Sequence, residues 1–203
     1  MDDSLLMCDS TEGDGKAEIV MDYVMSWSLR HAVTNKDSEK TPILHKYCRY
    51  MLYKLLQIKA PLKNIIFTEV KVWKEWQHID LCAEVRLTNN GNKECYALLV
   101  ENKYYTPLHC KRDSKGVWRN QLDVYKEIFE EYYKNKKAWN LRYALVSCYE
   151  HTDKKIKKYK EAHTYGFKVF SFYSIINSHF LDKEKEYKDS ESEIFNEFWL
   201  RKW

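Results

Sequence analysis

The sequence predicts a mixed α/β domain in which helices flank one central sheet. Three observations carry this expectation: two apolar stripes of helical period before residue 58, strand-like runs broken by an Asn-Gly turn between residues 65 and 105, and a further helical stripe followed by two short apolar runs. A chain of 203 residues is long enough to bury a sizeable core as one domain, and no internal repeat divides it.

The first helix is expected over Ala17 to Arg30, where Ile19, Val20, Tyr23, Val24 and Trp27 recur at helical spacing. Thr41-Pro42 opens the second, because proline suits the first helical position, and Leu44, Tyr47, Cys48, Met51, Leu52, Leu55 and Leu56 form its stripe. After Pro61 the period changes to two. Residues 65 to 73, 78 to 87 and 95 to 105 alternate apolar and polar positions with β-branched and aromatic enrichment, and Asn90-Gly91 between the second and third runs suits a type I′ turn. These runs predict a three-stranded antiparallel meander. A third helix is expected from Trp118 to Tyr133 on Leu122, Val124, Tyr125, Ile128, Phe129 and Tyr132. Strands are expected at 142 to 148 and 167 to 172, with the lysine-rich stretch Asp153 to Glu161 between them. A final helix over Glu191 to Trp203 would pack Ile194, Phe195, Phe198, Trp199 and Trp203.

Composition narrows the function classes. Hydrophobic residues make up 44% and charged residues 32%, so general disorder is excluded. With 5 glycines and 3 prolines the chain lacks the residues of collagen-like or phosphate-cradling loops. The formal charge of +4 is compatible with a polyanionic partner but far from that of a nucleic-acid coat protein. The six cysteines never fall as C-x-x-C, which argues against a zinc site or a disulfide framework. Residues 1 to 15 read as an acidic, disordered leader without the basic and apolar regions of a secretory signal, and no apolar run is long enough to span a membrane. The expectation is a soluble cytoplasmic protein with residues 16 to 203 as its single domain.

Counting outward from the Asn90-Gly91 turn gives the informative step. In a two-residue hairpin the numbers of paired positions sum to a constant, here 181, so Asp80 falls opposite Glu101 with Cβ atoms about 4.5–5.5 Å apart. Lys103 projects from the same face, two residues along the strand. Two carboxylates so placed repel unless something positive sits between them. Rigid oxygen ligands of this kind suit a hard divalent cation such as Mg²⁺ or Mn²⁺. Such a cation lowers the pKa of bound water and stabilises charge on a phosphate, while Lys103 would orient the attacking water, so the natural reaction is phosphodiester hydrolysis.

Ile79-Asp80, the hairpin, Val100-Glu101-Asn102-Lys103 at the end of an apolar strand, and a helix beginning Asn120-Gln121-Leu122-Asp123-Val124-Tyr125 together resemble the PD-(D/E)XK nuclease superfamily. Its restriction-endonuclease-like core runs α-β-β-β-α-β, which corresponds here to the second helix through Ser147, and Phe170 to Ile176 resembles the closing strand and helix of one branch. The resemblance implies Asp80 and Glu101 as metal ligands with the backbone carbonyl of Asn102 as a third, Lys103 as the catalytic lysine, and Gln121 as the polar group supplied by the following helix. It implies Mg²⁺ or Mn²⁺ as cofactor and nucleic acid, DNA foremost, as substrate, acting as a homodimer or with a partner protein. Tyr125, one turn beyond Gln121, would join the rim. The position before Asp80 holds Ile79 rather than the family's proline, and Glu18 and Asp22 are the candidates for the acid that many members add from the first helix.

Other readings compete. Glu69-Val70-Lys71, Glu186-Tyr187-Lys188 and Asp153-Lys154-Lys155 also match (D/E)-x-K, so the tripeptide alone decides nothing; no preceding hairpin delivers an acid opposite Glu69 and Lys71, which read as a solvated face. The run Lys154, Lys155, Lys157, Lys158, Lys160 suits either a phosphate-contacting arm or a solvated surface. His78 shares the face of Asp80 and is a weak edge candidate. The alternatives to a nuclease are a catalytically inactive module of the same fold that binds nucleic acid or protein, and a structural ion-pair network.

Overall fold

The computed structural model describes residues 16–149, 154–176 and 189–201. The expected leader over residues 1–15, Trp203, Asp153 and the tripeptide Glu186-Tyr187-Lys188 lie outside the described residues. Two helices, α1 (Lys16–Arg30) and α2 (Pro42–Leu55), precede β1 (Ile65–Trp76), β2 (Ile79–Asn89) and β3 (Asn92–Lys103). A short ribbon of β4 (Cys110–Arg112) and β5 (Trp118–Asn120) leads into α3 (Gln121–Tyr133) and β6 (Trp139–Ser147). A 3₁₀ segment (Lys154–Tyr165), β7 (Lys168–Ser171), α4 (Phe172–Ile176) and the turn α5 (Glu193–Phe195) with a π-helical continuation (Asn196–Leu200) follow.

One five-stranded mixed sheet, in the order β1-β2-β3-β6-β7, organises the molecule. The first three strands are antiparallel and the β3–β6 and β6–β7 pairs parallel, so β3 is the seam between the two halves. Such a centre is covered on both faces, and β3 is buried without interruption from Tyr96 to Lys103. One core joins α1, α2, α4 and the C-terminal turns to the face carrying Leu81, Ala83, Val85, Leu98 and Val100. The other packs α3 and the 3₁₀ segment on Cys82, Ala97, Leu99 and Leu145. Each fully buried apolar side chain in these layers contributes roughly 1.5–3 kcal/mol. Among the described residues no helix is long and apolar enough to cross a membrane.

Several expectations are corrected. Helix α1 turns Ala17, Met21, Val24, Met25 and Leu29 inward, whereas Ile19 and Tyr23 are exposed. The buried stripe starts at a small residue and includes Ser28, which accepts from Trp199 Nε1 at 3.0 Å, and reading only large apolar residues rotated the helix by part of a turn. Trp118 to Asn120 is strand rather than helix, because the Asp113 carboxylate accepts the Lys115 and Val117 amides, Gly116 adopts φ +79°, and the chain doubles back onto Cys110–Arg112. Helix α3 begins only where the Asn120 side chain caps the Leu122 amide. Tyr132 is consequently exposed and Tyr133 buried. The C-terminal segment is one α-turn followed by a π-turn, closed by the Arg201 amide on the Asn196 carbonyl at 3.0 Å. That wider turn seats Phe195, Phe198 and Trp199 in the core and leaves Ile194 exposed. The lysine run lies on the 3₁₀ segment, anchored by buried Tyr159 and Ala162.

Candidate active site

The β2–β3 hairpin keeps the register counted from its turn. Asn89 pairs with Asn92 and Leu81 with Val100, all at the sum 181, and Asn90 and Gly91 both adopt positive φ. The paired ladder ends at Leu81 and Val100, and Asp80 lies one residue beyond it, beside the end of β3. There the backbone amide of Asn102 donates to Asp80 Oδ2 at 2.8 Å.

Glu101, Asn102 and Lys103 are all buried. Lys103 Nζ lies 2.6 Å from Glu101 Oε1, and Gln121 Nε2 donates to the same oxygen. Gln121 is the first residue of α3, and its own Oε1 accepts the His109 amide at 3.0 Å, so the polar head of the helix is locked against the strand. The Asn102 side chain projects to the opposite face of the sheet, where Nδ2 donates to Asp22 Oδ1 at 2.7 Å. Helix α1 supplies a second acid, Glu18, whose Oε1 accepts from the Tyr104 amide at 3.0 Å and from the Thr106 hydroxyl. Both first-helix candidates therefore reach the strand end, Asp22 on one side and Glu18 just past it. His78 sits exposed in the turn between β1 and β2 with φ +66°, outside both strands.

Electrostatics follow from crowding acids in a dry place. Burial first, then the Asp80 charge, pushes the Glu101 carboxyl up to about 8 against the opposing pull of Lys103. Burial and Asp80 raise Asp22 to about 7, partly offset by the Asn102 hydrogen bond. Burial also raises Asp80, opposed by the Asn102 amide and Lys103. For Lys103 burial works against the ammonium, but Glu101, Glu18 and Asp80 outweigh it and leave the group above its ordinary value. The site is thus short of positive charge.

That deficit bears on whether a divalent cation fits. Glu101 Oε2 is buried and receives no hydrogen bond from an N–H of the described residues, while the Glu101 carboxyl and the Asp80 side chain share a hydrogen bond, so two acids crowd one place. The Lys103 carbonyl takes the Cys148 amide on the β6 side, so by alternation the Asn102 carbonyl lies on the β2 side, with Asp80. Among the described residues no three His, Cys, Asp or Glu side chains already converge as a ligand set. Mg²⁺ commonly uses only one or two carboxylates, a carbonyl and waters, so Asp80, Glu101 and the Asn102 carbonyl are a donor set of the right kind.

One residue at the site, Lys111, escaped sequence reasoning, whereas Tyr125 stands where the sequence placed it. The β4–β5 ribbon brings Lys111 to within 4.9 Å of the Tyr125 ring centroid, and burial lowers the Lys111 ammonium while Glu101 pulls it back up. Tyr125, buried beneath it, has its phenol raised by burial and by Glu101 and Asp80. The spacing Asp113-x-x-Gly116 is a turn signal that would have revealed the ribbon. Comparison with protein-family profiles, with curated proteins and with solved structures returns no match.

Proposed function

We propose that this chain is a metal-dependent nuclease of the PD-(D/E)XK type, with a restriction-endonuclease-like core, hydrolysing phosphodiester bonds in DNA. The observation that carries the reading is the convergence of Asp80, Glu101, Lys103 and Gln121 at one strand end, with the carboxyls of Asp80 and Glu101 close enough to share a hydrogen bond.

Asp80, Glu101 and the Asn102 carbonyl would hold Mg²⁺ or Mn²⁺, which supplies a water of lowered pKa and offsets charge on the phosphate. Gln121 holds Glu101 Oε1 and leaves Oε2 without a bond to the helix head. Lys103 places an ammonium where negative charge accumulates as the phosphorus–oxygen bond breaks, and its raised proton affinity keeps it charged at neutral pH. Lys111 adds a second cation at the rim, beside Tyr125.

A second reading has its own observation. Lys103 and Gln121 already satisfy Glu101 Oε1, as an inert ion-pair network in a nucleic-acid or protein-binding module would. Cleavage of end-labelled DNA with Mg²⁺ or Mn²⁺ separates the two. The nuclease reading expects cleavage by the natural protein and none by Asp80→Ala or Lys103→Ala variants that still melt cooperatively. Undiminished cleavage by both folded variants overturns it.

A further inference from the structure

On the same sheet face as the acids, further along β2, a cavity of about 110 Å³ opens between β1, β2 and the outer end of α3. Glu84 lies four residues from Asp80, roughly 13 Å at the rise of a strand, while Cys82, between them on the same face, lines the end of the cavity nearer the acids. Its wall is aromatic. Trp73 and Trp76 come from β1, and Phe129, Tyr132 and Tyr133 from α3, with Cys82 and Glu84 contributed by β2. Trp73 and Tyr132 are 41% and 49% exposed, so large rings stand open to solvent at its mouth.

Ring geometry and charge together select the ligand. Trp76 meets Tyr132 at 65° with centroids 4.9 Å apart, and Tyr132 meets Tyr133 at 84° over the same distance. A planar base needs two parallel faces, which these edge-to-face pairs do not offer; they form a fixed aromatic corner along the cavity wall, against which a rounded cationic group can pack. Glu84 adds a carboxylate at the wall. Its Oε1 accepts the Tyr133 hydroxyl at 2.9 Å, which ties the acid to the ring beside it. Lys71, directly across the β1–β2 ladder from Glu84, spends its ammonium on Glu69 at 2.9 Å, and Glu69 is shared with Arg86 at 2.9 Å. Lys136 Nζ lies 3.7 Å from the Tyr132 ring centroid and 4.9 Å from that of Tyr133, and these rings thus already attract an ammonium. A volume near 110 Å³ is close to that of cavities that hold one compact organic group.

We propose that this cavity binds a methylated ammonium head group, held by the rings of Trp73, Trp76 and Tyr132 and by the Glu84 carboxylate. Trimethylammonium suits it better than a primary ammonium, because its charge is spread over methyl groups that pack against rings and lose little hydration on entering. The inference does not depend on the nuclease reading.

Isothermal titration with choline, and with 3,3-dimethyl-1-butanol as its uncharged equal in shape, tests the proposal. Choline should saturate at millimolar concentration, with the neutral compound at least about tenfold weaker. Trp73→Ala and Glu84→Gln should each weaken choline by about tenfold with an unchanged melting temperature, since Trp73 is partly exposed and glutamine still accepts the Tyr133 hydroxyl. A peptide with trimethyllysine, run beside its unmodified form, distinguishes the sources: tighter binding than choline assigns the head group to a modified protein chain, and weaker binding to a free small molecule. Equal affinity for choline and the neutral compound overturns the proposal, since it would show an apolar cavity alone. So would choline binding that survives both substitutions, or its absence in the natural protein and in Lys136→Ala, where no internal lysine competes.

Discussion

Asn102 donates from Nδ2 to Asp22 Oδ1 at 2.7 Å, and this bond ties α1 to the strand end that carries Glu101 and Lys103 across 80 residues of sequence. Asn102 therefore serves both faces of the sheet. Its backbone amide holds Asp80 on one, and its side chain holds a first-helix acid on the other.

The Asp22 carboxyl makes stability depend on pH. Its folded value of about 7 lies above the ordinary 3.8, so the fold prefers the protonated form, and its contribution is fully present below pH 3.8 and lost as pH rises through 7. Glu101, raised from 4.5 to about 8, acts in the same direction over a slightly higher window. Without divalent cations the denaturation midpoint should fall between pH 4 and 8. Asp22→Asn should remove the part due to Asp22, at most roughly 4 kcal/mol. A variant whose pH profile parallels that of the natural protein would contradict the assignment.

Cation binding should reverse that trend. Thermal melts in EDTA, then Mg²⁺, then Mn²⁺ should show a rise in Tm with either metal, growing as pH increases because Glu101 must ionise to serve as a ligand. Asp80→Ala should abolish the rise. Identical curves with and without metal at pH 8 would favour the ion-pair network.

Gln121→Ala tests positioning. The substitution frees Glu101 from the helix head and leaves the His109 amide without its acceptor, so single-turnover cleavage should fall about 10- to 100-fold. Gln121→Glu should be worse than alanine, since it sets a further carboxylate against Glu101. Unaltered rates in both would show that Gln121 is only part of the helix cap.

The turn can be tested for conformation alone. A Cβ at Gly91 meets nothing within 4 Å, yet φ is +84°, so Gly91→Ala should cost about 1–2 kcal/mol through backbone strain. Differential scanning calorimetry should place the loss at a few degrees, and a larger one would mean that the hairpin register itself has slipped.

Much of this was legible because hairpin register is arithmetic. Asn90-Gly91 allowed one turn type, and that turn dictated which residues on β2 and β3 meet. Helix α2 was equally readable, since Leu44 through Leu56 form an unbroken stripe and every member is buried. Long-range and short elements were not readable. The reach of Asp22 and Glu18 to the strand end depends on how α1 crosses the sheet, which no local period records. The β4–β5 strands have three residues each, too few for alternation to show, and the π-turn at Asn196 shifted the face on which Ile194 had been placed.

The position of β3 as the seam sets an order of assembly during synthesis. Asp80 and Glu101 meet through a hairpin that is complete once residue 103 has emerged, but the other edge of β3 is covered only when β6 pairs Ser147 with Lys103. Until those 44 further residues exist, the β6 edge of β3 beside Glu101 and Lys103 stays uncovered. The burial that raises Glu101 is thus a property of the finished sheet, and a nascent chain halted before β6 would carry the acid pair with one edge of its strand open.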